Sequence, residues 1–274
     1  MGFKDWMEMS SLRDLLKNVP QNPKWHPEGS CWNHVRMVRQ ALPVAVAMFE
    51  KVRADRGSAF SSFTPISKQD EDILRLSAWM HDIGKASATA FTNPDRSRTP
   101  LSDFEGFDVK DLMAPDFGDG KWQSIGHERP NHYEPMLGRL GGPWQQMLQK
   151  LKPEDKEVLW FIVQKHMDLD AHGIHRSLRN QMIGSDGKFL PDRKFKLWIV
   201  FKLMDVMGRG AGLDRAEGDN ALKNILAAAE EKRASQTPPK ASPQTPQDME
   251  KMLRAKGLGA DQIRDIIAKK FGGR

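Results

Sequence analysis

The chain has 274 residues, 39% of them hydrophobic and 28% charged, which is enough apolar material for one sizeable core and one main domain with a small appendage. A single cysteine, Cys31, excludes an intramolecular disulfide and a cysteine-based zinc site, so any metal must be held by His and carboxylate. The net charge of +6 and the pI of about 9.3 favour an anionic partner such as a phosphorylated substrate, although 42 basic against 36 acidic residues is too mild an excess to mark a nucleic-acid groove.

The N-terminal stretch MGFKDWMEMSSLRDLLKNV has no uninterrupted apolar h-region, and no segment approaches the roughly 18 apolar residues of a membrane span, so a cytoplasmic protein without a membrane partner is expected. Apolar residues recur at helical spacing almost throughout, which predicts an all-α fold. Ser30 is placed to cap a long helix carrying His34, with Met37, Val38, Ala41, Ala45 and Phe49 on one face and a kink expected at Pro43. A second helix is predicted from Gln69 to Ile83, stopping at Gly84. The irregular stretch 86–123 follows directly on His81-Asp82 and is expected to be either a substrate lid or a neutral surface insertion.

Pro153 and Glu154 read as the first turn of a helix that continues through VLWFIV and ends at His166. The next, FKLWIVFKLM from Phe195, is apolar on every side and delivers Asp205 before breaking at Gly208-Arg209-Gly210. An amphipathic helix from Glu217 to Lys232 closes the main domain, 1–232. The stretch 233–247, rich in Pro, Ser, Thr and Gln, predicts a flexible linker. Residues 248–274 predict a small helical hairpin turning at Gly257-Leu258-Gly259, too short to make much of a core alone and expected to dock on a protein partner, a second subunit or the main domain.

Polar residues on apolar faces carry the chemical signal. Asp205 lies four residues after Phe201 and seven after Trp198, where a carboxylate costs several kcal/mol unless it is paired or bound to a cation. His34 shares a face with Met37, Val38 and Ala41, and His166 with Leu159 and Ile162. Taken singly, each also reads as a satisfied core polar group, with Asp205 paired to Arg209 for example. Taken together, this N/O set suits a hard or borderline divalent ion.

In this pattern of a His, a distant His-Asp pair and a later Asp, each on its own helix, the chain resembles the HD superfamily of metal-dependent phosphohydrolases. The likeness is greater still to the HD domain of bacterial CCA-adding tRNA nucleotidyltransferases. It is carried by WHPEGSCWNHVRMV, LSAWMHDIGKASAT, IGHERPNHYEPM, FIVQKHMDLDAHG and KLMDVMGRGAG, in order between Trp25 and Gly212. The resemblance implies an HD-type helical bundle with His34, His81, Asp82 and Asp205 as metal ligands. His127 and His166 fall where binuclear members bind a second ion bridged by the Asp82 position, with contact to substrate phosphate as their alternative. One or two ions of Mn, Ni, Co or Mg are expected. Asp82 would orient the attacking water or receive its proton, and Lys85 would supply positive charge to the phosphate, unless it is simply a solvated helix-end lysine. Arg209 and Arg129 are further phosphate-binding candidates, Arg209 the better placed. His26 is expected to shape the mouth of the site, Cys31 to pack, and His132, His172 and His175 to lie at the surface or behind the ligands.

With about 24 residues ahead of the resembling region, no nucleotidyltransferase head is expected, and polymerase activity is not carried over. The implied activity is hydrolysis of nucleotide or RNA-end phosphate esters, as a 2′,3′-cyclic phosphodiesterase, 2′-nucleotidase and phosphatase. A nucleoside 5′-monophosphatase or dNTP hydrolase is the alternative enzyme, to which Lys121, Arg96 and Arg98 of the insertion would contribute charge. An RNA- or protein-binding module with an idle pocket is the alternative of another class.

Overall fold

A helix that is apolar on all sides must be surrounded, and α11 (Arg193–Met207) is buried along nearly its whole length. The computed structural model describes residues 10–114, 117–170, 172–210, 212–236 and 245–271. In chain order the helices before α11 are α1 (Ser10–Leu16), α2 (Cys31–Gln40), α3 (Leu42–Arg53), α4 (Lys68–Met80), α5 (Lys85–Ala88), α6 (Val109–Leu112), α7 (Pro130–Arg139), α8 (Gly142–Lys150), α9 (Pro153–Lys165) and α10 (Arg176–Met182). After it come α12 (Arg215–Gln236), α13 (Pro246–Ala255) and α14 (Ala260–Phe271). Helix α11 packs against α2, α3, α4 and α9, so that the helices carrying His34, His81 and His166 converge on the one carrying Asp205. The fold is all-α, with two minor sheets.

The long helix predicted from Ser30 is two helices that part at Ala41. Pro43 has no N–H to continue the ladder and instead occupies the first turn of α3, where none is needed. Ser30 does cap α2, accepting from Asn33 N. Helix α4 opens with a capping box between Ser67 and Asp70. Asp70 also binds Lys196 Nζ at 2.8 Å and Arg193 Nε at 2.7 Å, while Arg193 Nη1 reaches Asp155 at 2.6 Å. This buried network ties the starts of α4 and α9 to the start of α11, at the end of the bundle away from Asp205.

The insertion has a structure of its own. Strands β1 (Thr89–Thr92), β2 (Arg98–Pro100) and β3 (Lys121–Ser124) form an antiparallel sheet in the order β2-β1-β3. Phe91, Leu112 and Trp122 are its buried core, with Phe104 and Phe117 packed against them. Strands β4 (Leu169–Asp170) and β5 (Gly173–Ile174) make a second small ladder after His166.

The chain divides into two compact units between Lys232 and Arg233. The reading of 233–247 as linker needs correction at its start, because α12 runs four residues further than predicted, to Gln236. Residues 237–244 of the expected linker lie outside the described residues, and its last two, Pro246 and Gln247, belong to α13. Helices α13 and α14 form the predicted hairpin around Met249, Leu253 and Ile263. Its turn is a Schellman cap: Gly257 has φ +78°, and Leu258 N reaches back to Leu253 O at 3.2 Å. Among the described residues no helix is long and apolar enough to cross a membrane.

Candidate metal centre

Each histidine of the centre reaches it from the end of an ordered element, with one ring nitrogen committed to a carbonyl. His81 caps the C-terminus of α4 and turns Nδ1 to Ala78 O at 3.1 Å. His166 caps α9 in the same way, its Nδ1 2.7 Å from Val163 O. His127 lies just beyond β3, with Nδ1 2.7 Å from Ser124 O. A carbonyl only accepts, so these contacts place a proton on each Nδ1 and turn the three Nε2 atoms inward, where they can serve as ligands. His81 Nε2 is buried without a hydrogen-bond partner. Burial holds the His166 pKa down at about 3, so that ring is neutral in ordinary buffers.

His34 differs. Its Nδ1 lies 3.0 Å from Glu28 Oε1 and 3.3 Å from Gly208 O, and its Nε2 lies 3.2 Å from Asp205 Oδ1. Burial disfavours its charged form, but the bonds to Asp205 and Glu28 prevail and raise its pKa. A proton held between His34 and Asp205 thus stands where a cation can.

The two aspartates divide their oxygens. Asp205 gives Oδ2 to Lys202 at 2.6 Å and Arg209 at 3.2 Å and keeps Oδ1 toward His34 and His81. Asp82 turns Oδ2 toward His81 at 3.4 Å and His34 at 3.7 Å, and Oδ1 toward His127 at 3.0 Å and His166 at 3.6 Å. Asp82 therefore stands between two groups: His34, His81 and Asp205 on one side, His127 and His166 on the other. Burial opposes ionisation of both carboxyls. Cationic neighbours outweigh it, chiefly His81 and Lys85 for Asp82 and Lys202 and Arg209 for Asp205, and hold both far below the usual carboxylate range.

Buried His and Asp groups of this kind can hold a metal ion. The ligand atoms of His34, His81 and Asp205 lie within 4.8 Å of one another, as do those of Asp82, His127 and His166. Imidazoles with Nδ1 committed to a carbonyl, ionised carboxylates and the unpartnered His81 Nε2 all fit a divalent cation.

The centre opens into a cleft of about 880 Å³. Lys85 is buried, with Nζ 2.7 Å from Asp82 Oδ2 and 2.6 Å from Gln21 Oε1, and is not a solvated helix-end lysine. Arg209 lines the cleft, and its Nε is buried without a partner. Arg129 is placed otherwise: at the start of α7 its side chain is 70% exposed, and it does not line the cleft. Arg96 and Arg98 do not line it either, whereas Lys121 does. His26 lines it as expected, with Nδ1 2.8 Å from Glu28, and His172 lies at its edge. His132 and His175 are bound elsewhere, to Ser87 and to Asp168 and Asp170. Cys31 is buried, 3.8 Å from Asp82 Oδ2.

Sequence reasoning passed over Glu28 and Lys202. Glu28 binds His26, His34 and, at 3.0 Å through Oε2, Gly210 N, yet it lies in a turn where no periodicity marks it as buried. Lys202 carried a signal: a lysine three residues before Asp205 in an otherwise apolar helix implies a buried ion pair.

No family model matches this chain, and neither a curated protein nor a solved structure matches it.

Proposed function

We propose that this protein is a metal-dependent phosphohydrolase of the HD type, acting on nucleotide or RNA-end phosphate esters. The observation that carries the reading is Asp82, whose two oxygens face two separate groups of buried histidines. One or two divalent ions held there would lower the pKa of a water and neutralise charge on a phosphate oxygen. His34, His81, Asp82 and Asp205 would hold the first, and Asp82, His127 and His166 the second.

The chain's own groups do the rest. Asp82, ionised and tied to Lys85, is the acceptor for the proton of an attacking water. Lys85 keeps that carboxylate oriented and adds positive charge beside it. Arg209 offers its unpartnered Nε–H to a phosphate oxygen while its Nη2 remains on Asp205. Lys85, Lys202 and Arg209 stand against Glu28, Asp82 and Asp205 around the centre, so an added divalent cation shifts it toward positive charge and suits it to an anionic ester.

The test is phosphate release by metal-stripped protein re-supplied with Mg²⁺, Mn²⁺, Co²⁺ or Ni²⁺. Substrates are 2′,3′-cyclic nucleotides, 2′-, 3′- and 5′-monophosphates and dNTPs. Metal-dependent turnover that disappears in Asp82→Ala is expected, and the preferred ester separates RNA-end processing from 5′-monophosphatase or dNTP hydrolase activity. Absence of turnover with every combination, despite bound metal, counts against the proposal.

A further inference from the structure

Exposed apolar side chains scattered one by one are ordinary; several gathered at the mouth of one cleft are not. Trp25 is 60% exposed, Ile125 56% and Met167 46%, and all three line the cleft over the His/Asp centre. They come from three distant segments built alike. Trp25 precedes His26, Ile125 stands two residues before His127, and Met167 follows His166, so each segment sends an imidazole inward and leaves an apolar group at the rim. The turn holding Trp25 is itself ordered, with Trp25 N and His26 N both bonded to Asn22 O, at 3.0 and 2.9 Å. Lys24 Nζ covers one face of the indole, 5.0 Å from the ring centre.

An indole with one face under an ammonium and the rest in solvent is a stacking platform. A flat, partly polar aromatic group suits it better than an aliphatic chain, because its ring edges keep their water while its faces leave it. Resting on the phosphohydrolase reading of the cleft, we propose that Trp25, with Ile125 and Met167 at the same rim, forms a nucleobase site, so that the substrate is a nucleoside phosphate or a nucleic-acid end rather than a sugar phosphate. The phosphate enters toward Asp82 and Arg209, and the base remains at the rim on the free face of Trp25. The site is tolerant of base identity, since stacking and apolar contact do not distinguish one base edge from another.

The test compares adenosine 5′-monophosphate with ribose 5-phosphate, titrated calorimetrically into the full chain with and without Mn²⁺. The wild-type protein is expected to bind the nucleotide about 10- to 100-fold more tightly than the base-free ester, as one base–aromatic stack contributes. In Trp25→Ala the two affinities converge, and in Trp25→Phe most of the difference returns. A thermal melt of each variant controls for folding. Equal binding of both probes by the wild type, or a difference that survives in Trp25→Ala, overturns the base site and leaves the phosphohydrolase reading standing. Binding of neither probe, with or without Mn²⁺, also overturns the base site, and the phosphate-release panel then decides the phosphohydrolase reading on its own.

Discussion

The Nε2 atoms of His127 and His166 face each other at 3.0 Å, while both Nδ1 atoms are committed to backbone carbonyls. Two ring nitrogens without protons repel at that distance unless a proton or a cation lies between them. Burial holds the His166 pKa down at about 3, and a divalent ion between the rings would find Asp82 Oδ1 as a third ligand, 3.0 Å from His127 Nε2. The expected stoichiometry is two Mn²⁺ per chain at saturation, falling to one in His166→Ala, as counted by equilibrium dialysis with metal analysis. One ion in the wild type, or two in the variant, removes the second centre.

Glu28 sets the tautomer of His34 from behind, its Oε1 3.0 Å from Nδ1. Carboxylates in that position typically raise metal affinity by about 10- to 100-fold through ligand basicity and orientation. Glu28→Gln keeps the shape and an acceptor oxygen but loses the charge. Mn²⁺ affinity should fall by about that factor, measured by competition with a fluorescent chelator, with little change in melting temperature for the metal-free protein. Unchanged affinity would reduce Glu28 to a tether for Gly210.

Much of this centre was legible in the sequence because its parts sit where helix periodicity is strong. Asp205 and His166 interrupt or end apolar runs, and His81-Asp82 lies just before a glycine stop. The insertion was less legible. Its strands are three to four residues long, too short for alternation to be read reliably from the sequence, and its sheet is held by an aromatic cluster assembled from residues far apart, Phe91 with Trp122 above all. Whether a surface arginine reaches a cleft depends on loop geometry that no period encodes, which is why Arg209 lines the cleft and Arg129 does not.

Gly84 couples the turn after His81-Asp82 to the loop that carries His127. A Cβ at this position would lie 2.0 Å from His127 O, and the neighbour is backbone rather than a side chain that can swing away. Its φ of −67° is ordinary, so the demand for glycine is one of space. Gly84→Ala should push the His127 segment outward, weakening the site formed with His166 and Asp82 more than the one around His34 and Asp205. In the dialysis experiment the second Mn²⁺ equivalent is lost while the first is retained. Retention of both equivalents at wild-type affinity would show that the loop absorbs the methyl group elsewhere.

Asp70 lies outside the centre and governs stability rather than chemistry. Burial pushes its carboxyl up, but Lys196, the Ser67 N–H and Arg193 prevail and hold its pKa below the ordinary 3.8. A depressed native pKa gives stability that is complete above the unfolded value and is lost as the pH falls through the folded one. Urea unfolding of the wild type should therefore weaken as the pH drops below about 4, and Asp70→Asn should remove its share of that slope. At neutral pH the substitution leaves Lys196 buried beside Thr64 Oγ1 and Pro65 O without its carboxylate, a loss of about 3–5 kcal/mol. The Mn²⁺ stoichiometry of the folded variant should stay at the wild-type value, because the network anchors the end of α11 opposite to Asp205. A parallel loss of metal binding would mean that the two ends of that helix are coupled.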